Sequence, residues 1–199
     1  MIRLQAGDAC AFNELVGVWQ GPLFGFFLRN LRDQHLAEDL VQETLLRLYR
    51  HCWDYLPKGL FKGFLFRIAR NLLIDHTRRA VHDVLIRRIC GRVTNSDGED
   101  FDLLQQVSVN LVPPIAVALQ REVAEAVKEL LQQLPEEQRQ TFMLHHYDSL
   151  TLSEVADAMD TSLPTAKSRL RLAKEKLRHL LTCRGFADEF LSETLSSDL

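Results

Sequence analysis

The sequence predicts an all-α protein made of two small helical domains joined by a flexible linker. Apolar residues recur at spacings of three and four through most of the chain, which is the period of an amphipathic helix. Residues 83–118 interrupt this pattern with turn formers, acids and two consecutive prolines. The 199 residues suffice for one medium domain or two small ones, and the 46% apolar content is enough to build their cores.

Charge is distributed unevenly along the chain, although the net charge is only −3. Residues 62–92 carry eight Lys/Arg and two Asp, which gives +6, and residues 161–184 carry seven Lys/Arg and one Glu, which also gives +6. Residues 93–120 between them carry four acids and no base. Two basic segments on either side of an acidic one predict two separate contacts with a polyanion.

Several classes of protein are disfavoured by the sequence. No apolar run has the length of a membrane span, and the first residues lack the apolar core of a signal peptide, so we expect a cytoplasmic protein. Cys10, Cys52, Cys90 and Cys183 lie far apart without CxxC spacing, which is typical of reduced thiols. His145-His146 has no further ligand at metal-binding spacing, so neither a metal site nor a cofactor is expected.

The stretch Thr151–Leu181 predicts two helices joined by a tight turn. The first helix is expected at about Leu152–Met159, and Asp160-Thr161-Ser162 supplies turn formers and a helix N-cap. Pro164 follows in the first turn of the second helix, where its missing N–H costs little. This arrangement is that of a helix-turn-helix, whose second helix enters the major groove of DNA.

The second helix has one apolar side and several basic positions. The apolar side carries Leu163, Ala166, Leu170, Ala173, Leu177 and Leu180. Lys167, Arg171, Lys174 and Arg178 form a basic row, with Arg169 and Lys176 beside it. The pattern favours DNA binding, but an amphipathic helix pair with a solvated basic face has the same pattern.

The N-terminal half predicts a helix over Asp8–Leu31, in which Gly21-Pro22 is expected to cause a break or kink. A second helix is predicted over Leu36–Trp53, and its core side consists of Leu40, Val41, Thr44, Leu45, Leu48 and Cys52. The opposite side carries Asp39, Gln42, Glu43, Leu46, Arg47 and Arg50. This polar face with one leucine is either solvated or a docking surface.

Asp54–Gly59 is predicted to be a loop because of its Pro and Gly, and a helix is predicted over Leu60–Arg79. Three phenylalanines, Phe61, Phe64 and Phe66, stand near the start of this helix, and several arginines follow them. Aromatic rings beside arginines suit single-stranded DNA, whose bases stack and whose phosphates need a counter-charge. The alternative is that these rings belong to the core, which we expect of at least one.

The rest of the chain is less informative. A short helix is expected near Asp83–Arg92, a second domain from about Ala116, and a further helix opening at Pro135. The acidic stretch after Cys183 is either a frayed tail or a weakly amphipathic segment that binds a basic helix or a partner.

Three motifs together resemble one family. AEDLVQETLLRLYRH and FKGFLFRIARNLLIDHTRR are similar to the N-terminal domain of the extracytoplasmic-function (ECF) sigma factors of RNA polymerase. LPEEQRQTFMLHHYDSLTLSEVADAMDTSLPTAKSRLRLAKEKL is similar to their C-terminal domain. The resemblance implies a sigma-2-like domain at 1–82, an acidic linker at 83–118, a sigma-4-like helix-turn-helix domain at 119–182 and a C-terminal extension at 183–199.

The resemblance also implies roles for individual residues in recognition of the −35 and −10 promoter elements. The −35 contacts would be Thr165, Lys167, Ser168, Arg169 and Arg171, with Lys174 and Arg178 on phosphates. The −10 contacts would be Lys62, Phe64, Arg67, Arg70, Asn71, Arg78 and Arg79. The loop that holds a flipped base would be Asp54, Tyr55, Leu56, Pro57, Lys58 and Gly59. Phe64 stands where the family usually has tryptophan.

The partners follow from the same resemblance: core RNA polymerase, promoter DNA and, as a regulator, an anti-sigma factor. Asp39, Gln42, Glu43, Leu46 and Arg47 match the family's polymerase-docking face, and the acidic linker would run through the RNA exit path. No nucleophile–base pair, phosphate loop or metal cluster is visible in the sequence, so no catalytic residue is expected and catalysis would belong to the polymerase.

Two other classes of protein remain open at this point. One is a stand-alone helix-turn-helix regulator that binds duplex operators without polymerase, and the other is a protein-interaction module that binds no DNA. Neither needs both a second basic helix and the AEDLVQET face, which is what distinguishes them from a sigma factor.

Overall fold

The computed structural model describes residues 1–55, 60–89 and 126–185, and every regular element in those ranges is a helix. The described residues separate into two compact units. The first contains residues 1–55, 60–89 and 156–161, and the second contains residues 126–155 and 162–185.

Four helices and a short 3₁₀ turn make up the first unit. They are α1 (Ile2–Gln5), α2 (Ala9–Leu31), α3 (Gln34–Arg50), the 3₁₀ turn Cys52–Asp54 and α4 (Phe61–Ile89). The carboxylate of Asp8 caps α2 by accepting from the N–H groups of Cys10 and Ala11, and that of Asp33 caps α3 by accepting from Leu36 N–H. Helix α3 contacts both α2 and α4, so it lies at the centre of the bundle.

The core of this unit consists of the apolar sides of α2, α3 and α4, as the helical periodicity predicts. Phe26, Phe27, Leu48, Leu65, Phe66 and Ala69 are all fully buried. The rings of Phe26 and Phe66 meet edge to face with centroids 5.5 Å apart, which is a favourable geometry for two aromatic rings. The five predicted core positions that fall in α3 are buried, including Thr44, whose hydroxyl donates to Leu40 O, and the sixth, Cys52, is buried in the 3₁₀ turn that follows.

Two expectations for this unit need correction. Gly21-Pro22 does not end a helix, because α2 continues through Pro22 to Leu31. Pro22 and the preceding turn at Val18 are exposed, so solvent can satisfy the carbonyl that a proline leaves without a partner. The predicted helix that ended at Arg79 is also too short, since α4 runs to Ile89 and includes residues 83–89 of the predicted linker.

The second unit begins with residues 126–130, which are helical, and the 3₁₀ turn Leu131–Gln133. Three helices follow in the chain, namely α5 (Glu136–His146), α6 (Leu152–Ala158) and α7 (Leu163–Cys183), and the last three residues of α6 are grouped with the first unit. Its core is a cluster formed by Ala126, Val127, Leu130, Leu131, Leu134, Phe142, Met143, Leu170, Ala173, Leu177 and Leu181. Pro135 precedes α5 and Glu136-Glu137 occupy its first turn, as predicted, which places negative charge at the positive end of the helix.

The connection from α6 to α7 has the predicted helix-turn-helix features. Thr151 and Glu154 form a reciprocal capping box at the start of α6, with Thr151 N–H donating to the Glu154 carboxylate at 2.9 Å. Asp160 adopts a left-handed backbone with φ 50°, and Ser162 caps α7 by accepting from Thr165 N–H. Asp160 therefore takes the conformation for which glycine is often used.

The backbone of Asp160 makes the turn sensitive to side-chain shape. We expect Asp160→Gly to be nearly neutral and Asp160→Val to destabilise the protein by about 1–2 kcal/mol, because a β-branched side chain clashes with its own backbone at positive φ. Thermal unfolding of both variants measures the difference. Equal unfolding midpoints for the Gly and Val variants would contradict the assigned turn.

Candidate nucleic-acid interface

The orientation of α7 is set by its apolar stripe. Ala166, Ala173, Leu177 and Leu181 are fully buried, and Leu170 is nearly so. With about 100° between successive residues, the positions opposite this stripe are Ser168, Arg171, Leu172 and Glu175, and all four are exposed. The outward side of α7 is therefore a polar and basic surface with one leucine in it.

Most of the basic residues predicted on α7 lie on or beside this outward side. Lys167 and Arg178 are exposed and Lys174 is half-buried. Arg171 is exposed and pairs with the carboxylate of Glu175 one turn later, at 2.6 Å. These four side chains can reach a polyanion without any rearrangement of the core.

Thr165 and Arg169 are placed differently from the others. The Thr165 hydroxyl bonds the Ser162 hydroxyl at 2.8 Å as part of the N-cap. The Arg169 guanidinium is only 27% exposed and pairs with the Glu137 carboxylate at 2.6 Å. Lys176, on the same side of the helix, donates to the backbone carbonyl of Gln133 at 3.2 Å. Arg169 and Lys176 therefore tie α7 to the segment at the start of α5.

The candidate −10 face lies along α4. Asn71, Arg78 and Arg79 are exposed, whereas Lys62, Arg67 and Arg70 are half-buried. Arg78 pairs with Asp75 on the preceding turn, at 3.3 Å. The Arg67 guanidinium carbon lies 5.6 Å from the centroid of the Phe64 ring, which is within cation–π range.

The three phenylalanines near the start of α4 have different environments. Phe66 is fully buried, which confirms that at least one of these rings belongs to the core, while Phe61 and Phe64 are half-buried. Phe64 lies 5.2 Å from the ring of Tyr55. It also lines a cavity of about 270 Å³ together with Arg47, His51, Ile68 and Asn71. An aromatic ring, two basic side chains and an amide therefore converge between α3 and α4.

The predicted specificity loop is held at its ends. Leu56, Pro57, Lys58 and Gly59 lie outside the described residues, Asp54 ends the 3₁₀ turn, and Tyr55 is buried against Phe61 and Phe64. Burial raises the pKa of the Tyr55 phenol, so the ring stays neutral at physiological pH.

Gln5 is a residue of this region that the sequence pattern does not reveal. Its amide donates to Cys52 O at 2.7 Å and to Tyr55 O at 2.9 Å. These two bonds fasten the 3₁₀ turn that leads into the loop. No local signal connects a glutamine in α1 with a turn some fifty residues later, since only the tertiary fold brings them together.

The candidate docking face on α3 is exposed as predicted. Asp39, Gln42 and Leu46 face solvent, and Leu46 is 46% exposed. Glu43 and Arg47 are half-buried and pair with each other at 2.8 Å. An exposed leucine between charged residues gives this face an apolar centre with a polar rim, which is the composition of many protein interfaces.

In the part of the chain that the structure describes, no group of three or more His, Cys, Asp or Glu side chains is arranged to hold a metal ion. Cys10, Cys52 and Cys183 are free thiols. Among the described helices none is long and apolar enough to cross a membrane.

Comparison with known proteins identifies both halves of the chain. The model of sigma-70 region 2 matches residues 15–83, and that of sigma-70 region 4 matches residues 124–177. The ECF RNA polymerase sigma factor SigM of Bacillus subtilis is 32% identical over 177 residues, covering 89% of this chain and 98% of SigM. SigW of the same organism is 26% identical over 179 residues, covering 90% of this chain and 93% of SigW.

Solved structures agree on the fold. The sigma factor RpoE of Bartonella quintana, solved in complex with the anti-sigma factor NepR, superposes with a TM-score of 0.64. It is 23% identical and covers 86% of this chain and 97% of its own. CnrH, solved with the cytosolic domain of CnrY, has a TM-score of 0.62 at 20% identity, covering 92% of this chain and 94% of its own.

The chain belongs to the ECF sigma factors of the sigma-70 family. It is a transcription initiation factor that binds core RNA polymerase and promoter DNA and directs promoter-specific initiation. It is not itself an enzyme, and the chemistry of RNA synthesis belongs to the polymerase.

The Arg169–Glu137 pair leads to a prediction about stability. Arg169→Ala removes a partly buried ion pair between α7 and α5, so we expect a loss of up to about 1 kcal/mol. Lys167→Ala, on the exposed side of the same helix, is expected to change stability by less than about 0.5 kcal/mol. Thermal unfolding of the two variants tests this, and equal effects would mean that the ion pair does not stabilise the second unit.

Proposed function

We propose that the two basic helices recognise the two promoter elements. Helix α7 binds the −35 element as duplex DNA, and α4 binds the −10 element as single-stranded DNA. The observation that carries the −35 assignment is the rotation of α7. Its buried stripe directs Ser168 and Arg171 outward, with Lys167 and Arg178 flanking them. Serine reaches either kind of base edge, while arginine and lysine reach guanine or phosphate.

The sequence predicts that Arg169 contacts the −35 element, but in this proposal its first partner is Glu137. Its guanidinium is engaged by Glu137, so it reaches DNA only by sharing that carboxylate or leaving it. Thr165 contributes through its hydroxyl, which lies beside that of Ser162 in the N-terminal turn of α7 and can bond a phosphate. Lys174 and Arg178 bind backbone phosphates and add affinity without selecting sequence.

For the −10 element, α4 supplies an exposed amide and exposed guanidiniums in one region. Asn71 is suited to a base edge, and Arg78 and Arg79 are suited to the backbone. Phe64 offers a half-exposed ring for stacking, with Arg67 above it and the cavity of about 270 Å³ beside it. Lys62 and Arg70 add positive charge, and in this proposal residues 54–59, of which 56–59 lie outside the described residues, receive an extruded base.

The α3 face docks on the polymerase in this proposal. Leu46 supplies the apolar centre, and the rim consists of Asp39, Gln42 and the Glu43–Arg47 pair. The chain works in the cytoplasm, with its domains at 1–82 and 119–182, an acidic linker at 83–118 and an extension at 183–199. An anti-sigma factor or the C-terminal extension controls it, and the complex of the structural relative RpoE with the anti-sigma factor NepR supports the first of these.

The docking and −35 assignments predict opposite phenotypes. Replacing Asp39 and Glu43 by Ala is expected to weaken binding to core polymerase at least five-fold, because it removes the charged rim around Leu46. Replacing Lys167 and Arg171 by Ala is expected to leave polymerase binding unchanged and to reduce initiation only at promoters with an intact −35 element. A pull-down with core polymerase and transcription from randomised promoters measure both effects.

Loss of polymerase binding in the Lys167/Arg171 variant would overturn the assignment of α7 to DNA.

The stacking role of Phe64 is tested by strand opening. Phe64→Ala is expected to lower initiation on duplex promoters about ten-fold, since a base–aromatic stack contributes about 1–3 kcal/mol. Initiation from the same promoter carrying a preformed bubble at the −10 element should fall much less. Permanganate reactivity of unpaired thymines reports the opening directly, and an equal loss on both templates would assign Phe64 to folding rather than opening.

A further inference from the structure

An exposed leucine stands on the outward side of the basic helix α7. Leu172 is 41% exposed and lies one turn beyond Ser168 and two turns beyond Thr165, on the same side of the helix. Arg171 precedes it and Glu175, paired with Arg171, follows it. Neither the sequence pattern nor the −35 assignment above gives this side chain a role.

The exposure of Leu172 is imposed by the packing of α7. Turning the helix to bury Leu172 would pull Leu170 and Leu177 out of the core, which costs more apolar burial than it gains. The other large exposed apolar residue of α7 is Leu163, which is 38% exposed. Nine residues, or two and a half turns, separate the two leucines, so they lie on opposite sides of the helix and form no common apolar patch.

The surroundings of Leu172 fit the chemistry of the major groove. Leu172 is a single aliphatic side chain among hydroxyl, guanidinium and carboxylate groups, on the side of α7 that the proposed function directs at the −35 element. The major groove combines phosphates, hydrogen-bonding base edges and one apolar group, the C5 methyl of thymine. Aliphatic contact with that methyl is a recognised way to select thymine.

We propose that Leu172 is a specificity-determining residue that selects a thymine in the −35 element by contact with its methyl group. This inference rests on the proposed binding of α7 to that element. Four residues along a helix rise about 6 Å, and successive base pairs rise about 3.4 Å. The selected thymine therefore lies about two base pairs from the base that Ser168 reaches.

Replacement of thymine by deoxyuridine tests this contact, because it removes the methyl and nothing else. The full chain is combined with core polymerase of its own organism, and transcription from a library with a randomised upstream element defines the −35 sequence. Each thymine of that element is then replaced singly by deoxyuridine. At one position we expect initiation by the native chain to fall about three- to five-fold, the effect of one buried methyl.

Variants assign the effect to the side chain. With Leu172→Ala, deoxyuridine at that position should have no further effect, and with Leu172→Met part of the sensitivity should remain. Leu163→Ala is the matched control, since it makes the same truncation at similar exposure on the opposite side of α7. It should keep the full sensitivity of the native chain.

Several results would overturn the proposal. The first is that Leu172→Ala remains as sensitive to deoxyuridine as the native chain, and the second is that the native chain is insensitive to deoxyuridine at every thymine. The third is a −35 element that contains no thymine. The fourth is that Leu172→Ala binds polymerase more weakly while its promoter preference is unaltered. A scrambled −35 element separates the two levels of inference. If scrambling leaves initiation by the native chain unchanged, the assignment of α7 to the −35 element is wrong. If scrambling abolishes initiation but deoxyuridine has no effect at any thymine, only the role of Leu172 is wrong.

Discussion

The burial of one apolar stripe of α7 is the constraint on which its surface chemistry depends. Ala166, Ala173, Leu177 and Leu181 have no exposed area, and the last three pack with Phe142 and the residues around 126–134 in a single cluster. Alanines at two of these positions allow close approach of the helix to its neighbours. Once this stripe is buried, the direction of every other side chain on α7 follows from the helix period, and the basic side is presented as a rigid surface.

The first unit uses the same principle with larger side chains. Phe66 is buried against Phe26, and this contact sets the rotation of α4. Phe64, two residues earlier, is thereby left at the boundary between core and solvent, beside Tyr55. A core of interlocked aromatic rings resists rotation of the helix, which suits the proposed role of α4 in binding unpaired bases.

Arginines that look equivalent in the sequence are divided between two tasks. Arg171 is exposed and paired only with a neighbour on its own helix, whereas Arg169 joins α7 to Glu137 on α5. The second kind of pair adds orientation more than stability, because partly exposed ion pairs contribute little free energy. A count of positive residues therefore overstates the charge that this helix offers to DNA.

The sequence by itself determined most of the helices and their buried sides, although not the short α1 or the end of α4. The period of apolar residues is a local property, so the core positions of α3 were predicted correctly, and so was an N-cap for α7 within Asp160-Thr161-Ser162. The length and order of the family motifs were enough to identify an ECF sigma factor, which the comparisons confirm.

Tertiary structure decided what depends on neighbours distant in the chain. The pairing of Arg169, the hold of Gln5 on the turn before the loop, the burial of Phe66 but not Phe64 and the continuity of α2 through Pro22 all belong to this class. In each case a side chain or backbone group contacts either solvent or a residue distant in the chain, and a short stretch of sequence does not show which. Helical periodicity states which side of a helix is apolar, but only packing states which polar side chains remain available for DNA.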